Sequence, residues 1–395
     1  MKKQILLEDR NQTMKLLHLF SNWRWTGPAE PVTNLVSSLH HSGWDITFSF
    51  GQELRTESSI LRHAQKLDLP IHTGLRLQKH SNLLRDYYDV LHLRQWLNRY
   101  HFNIVHAHLR NAHLITALAM RPINEKPLII RSCYAGEGPL GLREKLLLKH
   151  STDGLIVISD HVKQKVINNF NFPDNRIWSV HTPIDINRFN PHRGLGDLRA
   201  QLGIKPNDFV VGIIARIQWR RRYQVFLEGI DRARRKLPNL KAIIVGRGTN
   251  MKPIVIDPIN KMKLNDVIIL PGYQSGDDFV RTIASMNVNV FLVPGTDGSC
   301  RAVRETMAMG IPTIASPRGI LPALVENNER GLIIDDTPEN LANAILKLAH
   351  NQNLRNRLGH QGREFALEHF SLEQQADIVG GIYRNLAELG KKRPS

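Results

Sequence analysis

The chain has 395 residues, too many for one core and suited to two domains of roughly 150–200 residues each. Apolar residues make up 42% and charged residues 23%, an ordinary balance for a soluble globular protein. No apolar run reaches the ~18 residues of a membrane-spanning helix, the basic N-terminus lacks the apolar core of a signal peptide, and two cysteines give no disulfide framework, so a cytoplasmic location is expected. The net charge of +17 calls for an anionic partner: a lipid surface, phosphorylated substrates or nucleic acid. Nucleic acid is disfavoured, because the basic residues are spread along helices with no aromatic-interleaved motif or basic arm among them.

Short apolar runs alternate with longer amphipathic ones. In the first half, strands are expected at residues 15–20, 45–50, 70–73, 104–109, 128–132, 154–159 and 177–181. Helices such as 31–41, 84–100 and 142–150 separate them. Continuous apolar strands with helical crossovers predict a parallel sheet covered on both faces. After the first strand comes Trp23-Arg24-Trp25-Thr26-Gly27-Pro28, where Gly27 would let a ligand approach the backbone closely. His106 and His108 alternate on a strand and share a face, but no third ligand stands near them in sequence, so no metal is expected. Arg131-Ser132-Cys133-Tyr134 closes the next strand; Cys133 shows no base to activate it and reads as a buried thiol.

Residues 181–191 carry two prolines and no periodicity, which marks a linker. Strands resume at 209–215, 241–245, 267–270, 288–293, 313–315 and 331–334. Arg216 and Arg221 follow the first of these at its carboxyl edge, where open α/β sheets bind ligands and where guanidinium groups can neutralise a phosphate. Gly246-Arg247-Gly248 and Gly272-Tyr273 follow the next two strands. The run from Asp297 to Ser316 is strand, short loop, a helix opening near Ser299, then strand again, with Asp297 and Glu305 eight positions apart. Free N–H groups at a helix start bind phosphate, and carboxylates accept hydrogen bonds from sugar hydroxyls. A sugar carried on a diphosphate would satisfy both.

That run resembles the acidic-x7-acidic signature of the retaining glycosyltransferases of family 4. Asp297 stands for the first Glu, Ser299-Cys300 replaces Phe-Gly, and Arg304-Glu305-Thr306-Met307-Ala308-Met309-Gly310-Ile311-Pro312 is close to the rest. Arg216 matches the family Arg after the domain's first strand, Arg221 falls where Lys is usual, and Arg222 falls on a Gly. The first loop, the His106–His108 strand and Gly246–Gly248 are similar to family segments too, while Cys133 lies near a position that many relatives fill with His. The resemblance implies a GT-B fold: two doubly wound Rossmann-like α/β domains, 1–185 and 186–371, facing a central cleft, with a helix in 372–395 crossing back to the first. It implies retaining transfer of a sugar from a nucleoside-diphosphate sugar to a glycan or lipid-linked acceptor, as in cell-envelope polysaccharide or lipopolysaccharide synthesis, without metal or other cofactor. Asp297, Arg216 and Arg221 would serve catalysis. Glu305, Ser299, Cys300, Arg301, Gly246, Gly248 and Tyr273 would hold the nucleotide sugar, and Gly27, His108 and Cys133 would face the acceptor. The positive charge adds peripheral attachment to the inner face of the cytoplasmic membrane. Two alternatives share the fold: a nucleotide-sugar 2-epimerase and a non-catalytic sugar-binding protein. The presence of Asp297, Glu305, Arg216 and Arg221 together weighs against the second.

Overall fold

Two six-stranded parallel sheets organise the chain. The computed structural model describes residues 14–53, 58–136, 138–293 and 300–391, the side chains of 390 and 391 excepted. The chain divides into one unit of Met1–Pro183 with Leu372–Ser395 and a second of Ile184–Ser371.

In the first unit the strands are β1 (Lys15–Phe20), β2 (Asp45–Phe50), β3 (Ile104–His108), β4 (Leu128–Cys133), β5 (Gly154–Val157) and β6 (Ile177–Ser179), in spatial order β2-β1-β3-β4-β5-β6. The helices are α1 (Ala29–His41), α2 (Ser59–Lys66), α3 (Leu83–Tyr100), α4 (Arg110–Met120), α5 (Leu142–Ser151) and α6 (Asp160–Phe170). Every residue of β3 and β5 is buried, as the continuous apolar runs require of a sheet covered on both faces. Ser58, Asn82 and Ser159 cap α2, α3 and α6 with their side-chain oxygens, and α6 ends on left-handed Asn171. The last helix, α14 (Leu372–Lys391), belongs to this unit: Ala376, Val379, Ile382 and Tyr383 share a core with Leu35, Trp44 and Ile130. Residues 70–73 do not form the strand expected of them. Ile71 makes one isolated bridge to Phe48, because Pro70 has no N–H to offer a ladder and the chain turns away at Gly74.

The second unit contains β7 (Phe209–Ile214), β8 (Leu240–Val245), β9 (Ile268–Gly272), β10 (Val288–Phe291), β11 (Thr313–Ala315) and β12 (Gly331–Ile333). Their order is β9-β8-β7-β10-β11-β12, so the direction of winding reverses between β7 and β10. In the first unit the same reversal falls between β1 and β3. The helices are α7 (Tyr223–Arg234), α8 (Asp257–Lys261), α9 (Gly276–Ala284), α10 (Arg301–Ala308), α11 (Leu321–Val325), α12 (Pro338–His350) and α13 (Gln352–His369). One core layer packs Phe226, Ile230, Leu341 and Ile345 on Val211, Ile213 and Ile244; the other packs Val303, Met307 and Leu321 beside Phe291 and Ala315.

Candidate functional site

In open α/β sheets, ligands bind beyond the carboxyl ends of strands where the winding reverses. β7 and β10 are the neighbouring strands at that point in the second unit, with Val211 level with Val288. The loop after β7 keeps pairing with the end of β8: Ala215 N donates to Val245 O at 3.1 Å and Ile217 N to Arg247 O at 3.1 Å. Arg216, between them, is exposed at this edge. A Cβ on Gly246 would stand 2.1 Å from Ala215 O, and one on Gly248 would stand 2.1 Å from Ile217 O. These two glycines, expected to line the nucleotide, are therefore required by the crossing of two backbones, whatever else they meet.

Arg221 is buried, its Nη1 donates to Val293 O, and its guanidinium lies 5.7 Å from the Phe291 ring. It thus ties the β7 loop to the end of β10. Arg222 is left-handed, with φ +60°, which gives a backbone reason for the family's glycine at this place. Its side chain pairs with Asp336 at 2.8 Å. Arg247 lies over the exposed ring of Tyr273 at 4.4 Å, beside the ends of β8 and β9.

Asp297 and Ser299 lie outside the described residues. The helix expected to open near Ser299 has Cys300 as its N-cap, left-handed and without a side-chain capping bond, and runs from Arg301. The Cys300 side chain is wholly buried in the core, so its expected place in the nucleotide site would rest on its backbone N–H at the helix start. Arg301 Nε donates to Glu305 Oε1 at 2.7 Å, and the Glu305 side chain is buried.

In the first unit, Asn22 Oδ1 accepts from the backbone N–H groups of Trp23 and Arg24, and Ser59 Oγ accepts from Trp25 N, which pins the loop that carries Gly27. Gly27 is exposed, and a Cβ there would meet nothing within 4 Å.

His108 is fully buried; its Nδ1 meets the Tyr134 hydroxyl at 2.9 Å and its Nε2 meets His18 Nδ1 at 3.0 Å. A ligand would reach this ring only by displacing a partner. His18 also meets the Tyr383 hydroxyl at 3.2 Å, and His106 meets Tyr383 at 2.6 Å and Ser132 Oγ at 2.8 Å. Candidate ligand atoms of His18, His106 and His108 lie within 4.8 Å of one another, so β1 supplies the third histidine that sequence spacing hid. Those rings hydrogen-bond through both nitrogens, no carboxylate among the described residues joins them, and the nearby Arg131 cation opposes a second positive charge. Burial lowers the pKa of His18 to about 3 and pushes His106 and His108 well below the ordinary value, repulsion among the imidazoles when protonated and from Arg131 adding to the effect on the last two. The cluster is a neutral hydrogen-bonded network. Cys133 is buried beside it, and burial pushes its thiol pKa up, the reverse of what a nucleophile needs.

Known proteins match this arrangement. Residues 26–188 match the model of Glycosyltransferase Family 4, and residues 196–365 match that of Glycosyl transferases group 1. The chain belongs to the group 1, family 4 glycosyltransferases, transferase enzymes of GT-B fold. It is 28% identical over 269 residues to the D-inositol 3-phosphate glycosyltransferase of Mycobacterium sp. strain KMS, a match over 63% of this chain and 56% of that one. The chain thus spans just over half the length of the first curated relatives it matches. It is 22% identical over 321 residues to the Escherichia coli UDP-Gal:alpha-D-GlcNAc-diphosphoundecaprenol alpha-1,3-galactosyltransferase, covering 78% of this chain and 81% of that protein. Among solved structures, Anabaena HepE in complex with UDP superposes with a TM-score of 0.78 at 15% identity, over 93% of this chain and 99% of that one. The lipopolysaccharide outer core galactosyltransferase WaaB does so with 0.64 at 17%, over 96% and 100%.

Proposed function

We propose that the chain moves a sugar from a nucleoside diphosphate to a glycan or lipid-linked acceptor with retention at the anomeric carbon. The observation that supports this best is the position of Arg216 and α10 on the two loops that flank the β7–β10 reversal, beside the Arg247–Tyr273 pair. A diphosphate held there would meet cations and the N–H groups of a helix start, and Tyr273 offers a flat face to the base. Neighbours of the same fold were solved with UDP and UDP-glucose, which makes a UDP-sugar the first donor to try.

In the reaction proposed, the bond from the anomeric carbon to the β-phosphate oxygen breaks, and a bond to the acceptor oxygen forms on the same face. The departing phosphate takes the acceptor proton. Arg216, the Arg301 end of α10 and, through its link to Val293, Arg221 stabilise the charge that develops on the leaving group. Asp297 would hold sugar hydroxyls, and Glu305, oriented by Arg301, would bind the ribose. The E. coli relative's name includes a diphosphoundecaprenol acceptor, which supports a lipid-linked acceptor, and the net charge of +17 would suit an anionic membrane surface. No helix among the described residues is long and apolar enough to cross a membrane. A panel of nucleotide sugars with lipid-linked acceptors, the product's anomeric configuration read by NMR, tests the reading. An inverted product refutes retention, and conversion of the nucleotide sugar without acceptor would favour a 2-epimerase.

A further inference from the structure

A groove of about 630 Å³ runs between α4 and α5 in the first unit, and the loop before α3 closes one end of it. Lys79, Arg110, Arg121 and Arg143 line it, and all four are exposed. Its one acid, Glu144, pairs with Arg110 at 2.7 Å, which leaves the lining strongly cationic. Leu142 and Leu146, one turn apart on α5, stand beside it at 72% and 51% exposure, with Leu140 just before them at 64%. Leu83 and Leu84, two and three positions after the groove-lining Ser81, begin α3 at 88% and 85% exposure, and Tyr87 follows one turn on. Half of the large apolar side chains exposed among the described residues belong to these two short stretches. Singly scattered surface leucines need no explanation, but a concentration of them around a cationic groove does.

We propose that this face docks on an anionic bilayer, with the leucines entering the headgroup boundary and a lipid phosphate seated in the groove. This deepens the membrane contact read above and rests on that reading. Apolar side chains flanked by cations suit an interface where acyl chains meet negative headgroups. A soluble phosphate would leave the leucines unexplained, and a second copy of the chain would set two cationic grooves against each other. Phosphate recognition, leucine insertion and the net charge of +17 act in the same direction.

The test is sedimentation of the purified protein with vesicles of phosphatidylcholine mixed with phosphatidylglycerol, against phosphatidylcholine alone. Binding is expected on the mixed vesicles, weakening with added salt, and is expected to fall by about tenfold or more in Leu142→Ser/Leu146→Ser and in Arg121→Glu/Arg143→Glu. Circular dichroism and UDP calorimetry on each variant confirm that the fold and the donor site survive, so a failure here is separable from a failure of the donor assignment. Absence of vesicle binding by the folded wild type would overturn the proposal. So would variants that bind as well as wild type, or a dimer in light scattering that the leucine variant dissolves.

Discussion

The hydroxyl of Tyr383 on the last helix lies 2.6 Å from Nδ1 of His106, joining residues 277 positions apart inside the first unit. The same hydroxyl meets His18 Nε2, His18 meets His108, His108 meets Tyr134, Ser132 hydrogen-bonds Tyr134, and His106 returns to Ser132. Three imidazoles and three hydroxyls therefore close a ring. A neutral imidazole brings one donor and one acceptor, and a hydroxyl can do the same. One sense of circulation satisfies the whole ring with each histidine carrying its proton on Nε2: Ser132 donates to Tyr134, Tyr134 to His108, His108 to His18, His18 to Tyr383, Tyr383 to His106, and His106 to Ser132. Tyr383→Phe keeps the edge-on packing against Trp44 but strands two buried ring nitrogens. The expected loss is about 1–3 kcal/mol of stability, read by chemical denaturation.

The ring also sets a pH dependence. His18 has its folded pKa lowered from 6.5 to about 3, so the unfolded chain binds a proton here that the folded chain refuses. The stabilisation is complete above pH 6.5 and is lost progressively as the pH falls toward 3. At pH 5 the loss is on the order of 2 kcal/mol for His18 alone, and His106, His108 and His113 act in the same direction. Denaturation midpoints at pH 7 and pH 5 should differ accordingly. A midpoint that stays level across this range would show that the histidines are charged in the fold.

Two glycines should behave oppositely. Gly248→Ala drives a Cβ into Ile217 O, so the β7 loop must shift; a destabilisation of about 2 kcal/mol or more is expected, together with weaker nucleotide binding through the displaced Arg216. Gly27→Ala meets open space and should leave the melting temperature unchanged. Any change it makes should appear in the KM for acceptor.

Arg222 holds a left-handed backbone at a cost of roughly 1–2 kcal/mol. Arg222→Gly relieves that cost and loses an ion pair worth about 0–1 kcal/mol, while Asp336 keeps Arg318 at 2.9 Å. Stability should hold or rise by about 1 kcal/mol in thermal denaturation. A loss larger than that would mean that the pair with Asp336 anchors the loop.

The alternation of apolar runs made the sheets legible: 15–20, 45–50 and 313–315 are strands at the residues expected. Residues 70–73 were misleading because their apolar pattern says nothing about the donor that Pro70 lacks. His18 escaped notice because only the cross-strand register, in which it lies level with His106, brings it to the histidines of β3. Tyr383 carried no signal at all, since its partners come from strands hundreds of residues earlier. Gly246 and Gly248 resembled a ligand-lining motif, and the crossing of the β7 and β8 loops explains their need for glycine without one. The cationic groove was visible only as net charge, because Arg110 and Arg121, at the two ends of α4, meet Arg143 of α5 and Lys79 only in the fold.

The most direct test of the donor site is isothermal calorimetry with UDP, GDP and ADP, repeated on Arg216→Ala. Micromolar binding of one diphosphate, weakened about tenfold or more by the substitution, is the expected result and would name the base. No binding of any of the three by the folded protein, or equal binding by the variant, would contradict the assignment of the phosphate site to the β7–β10 reversal.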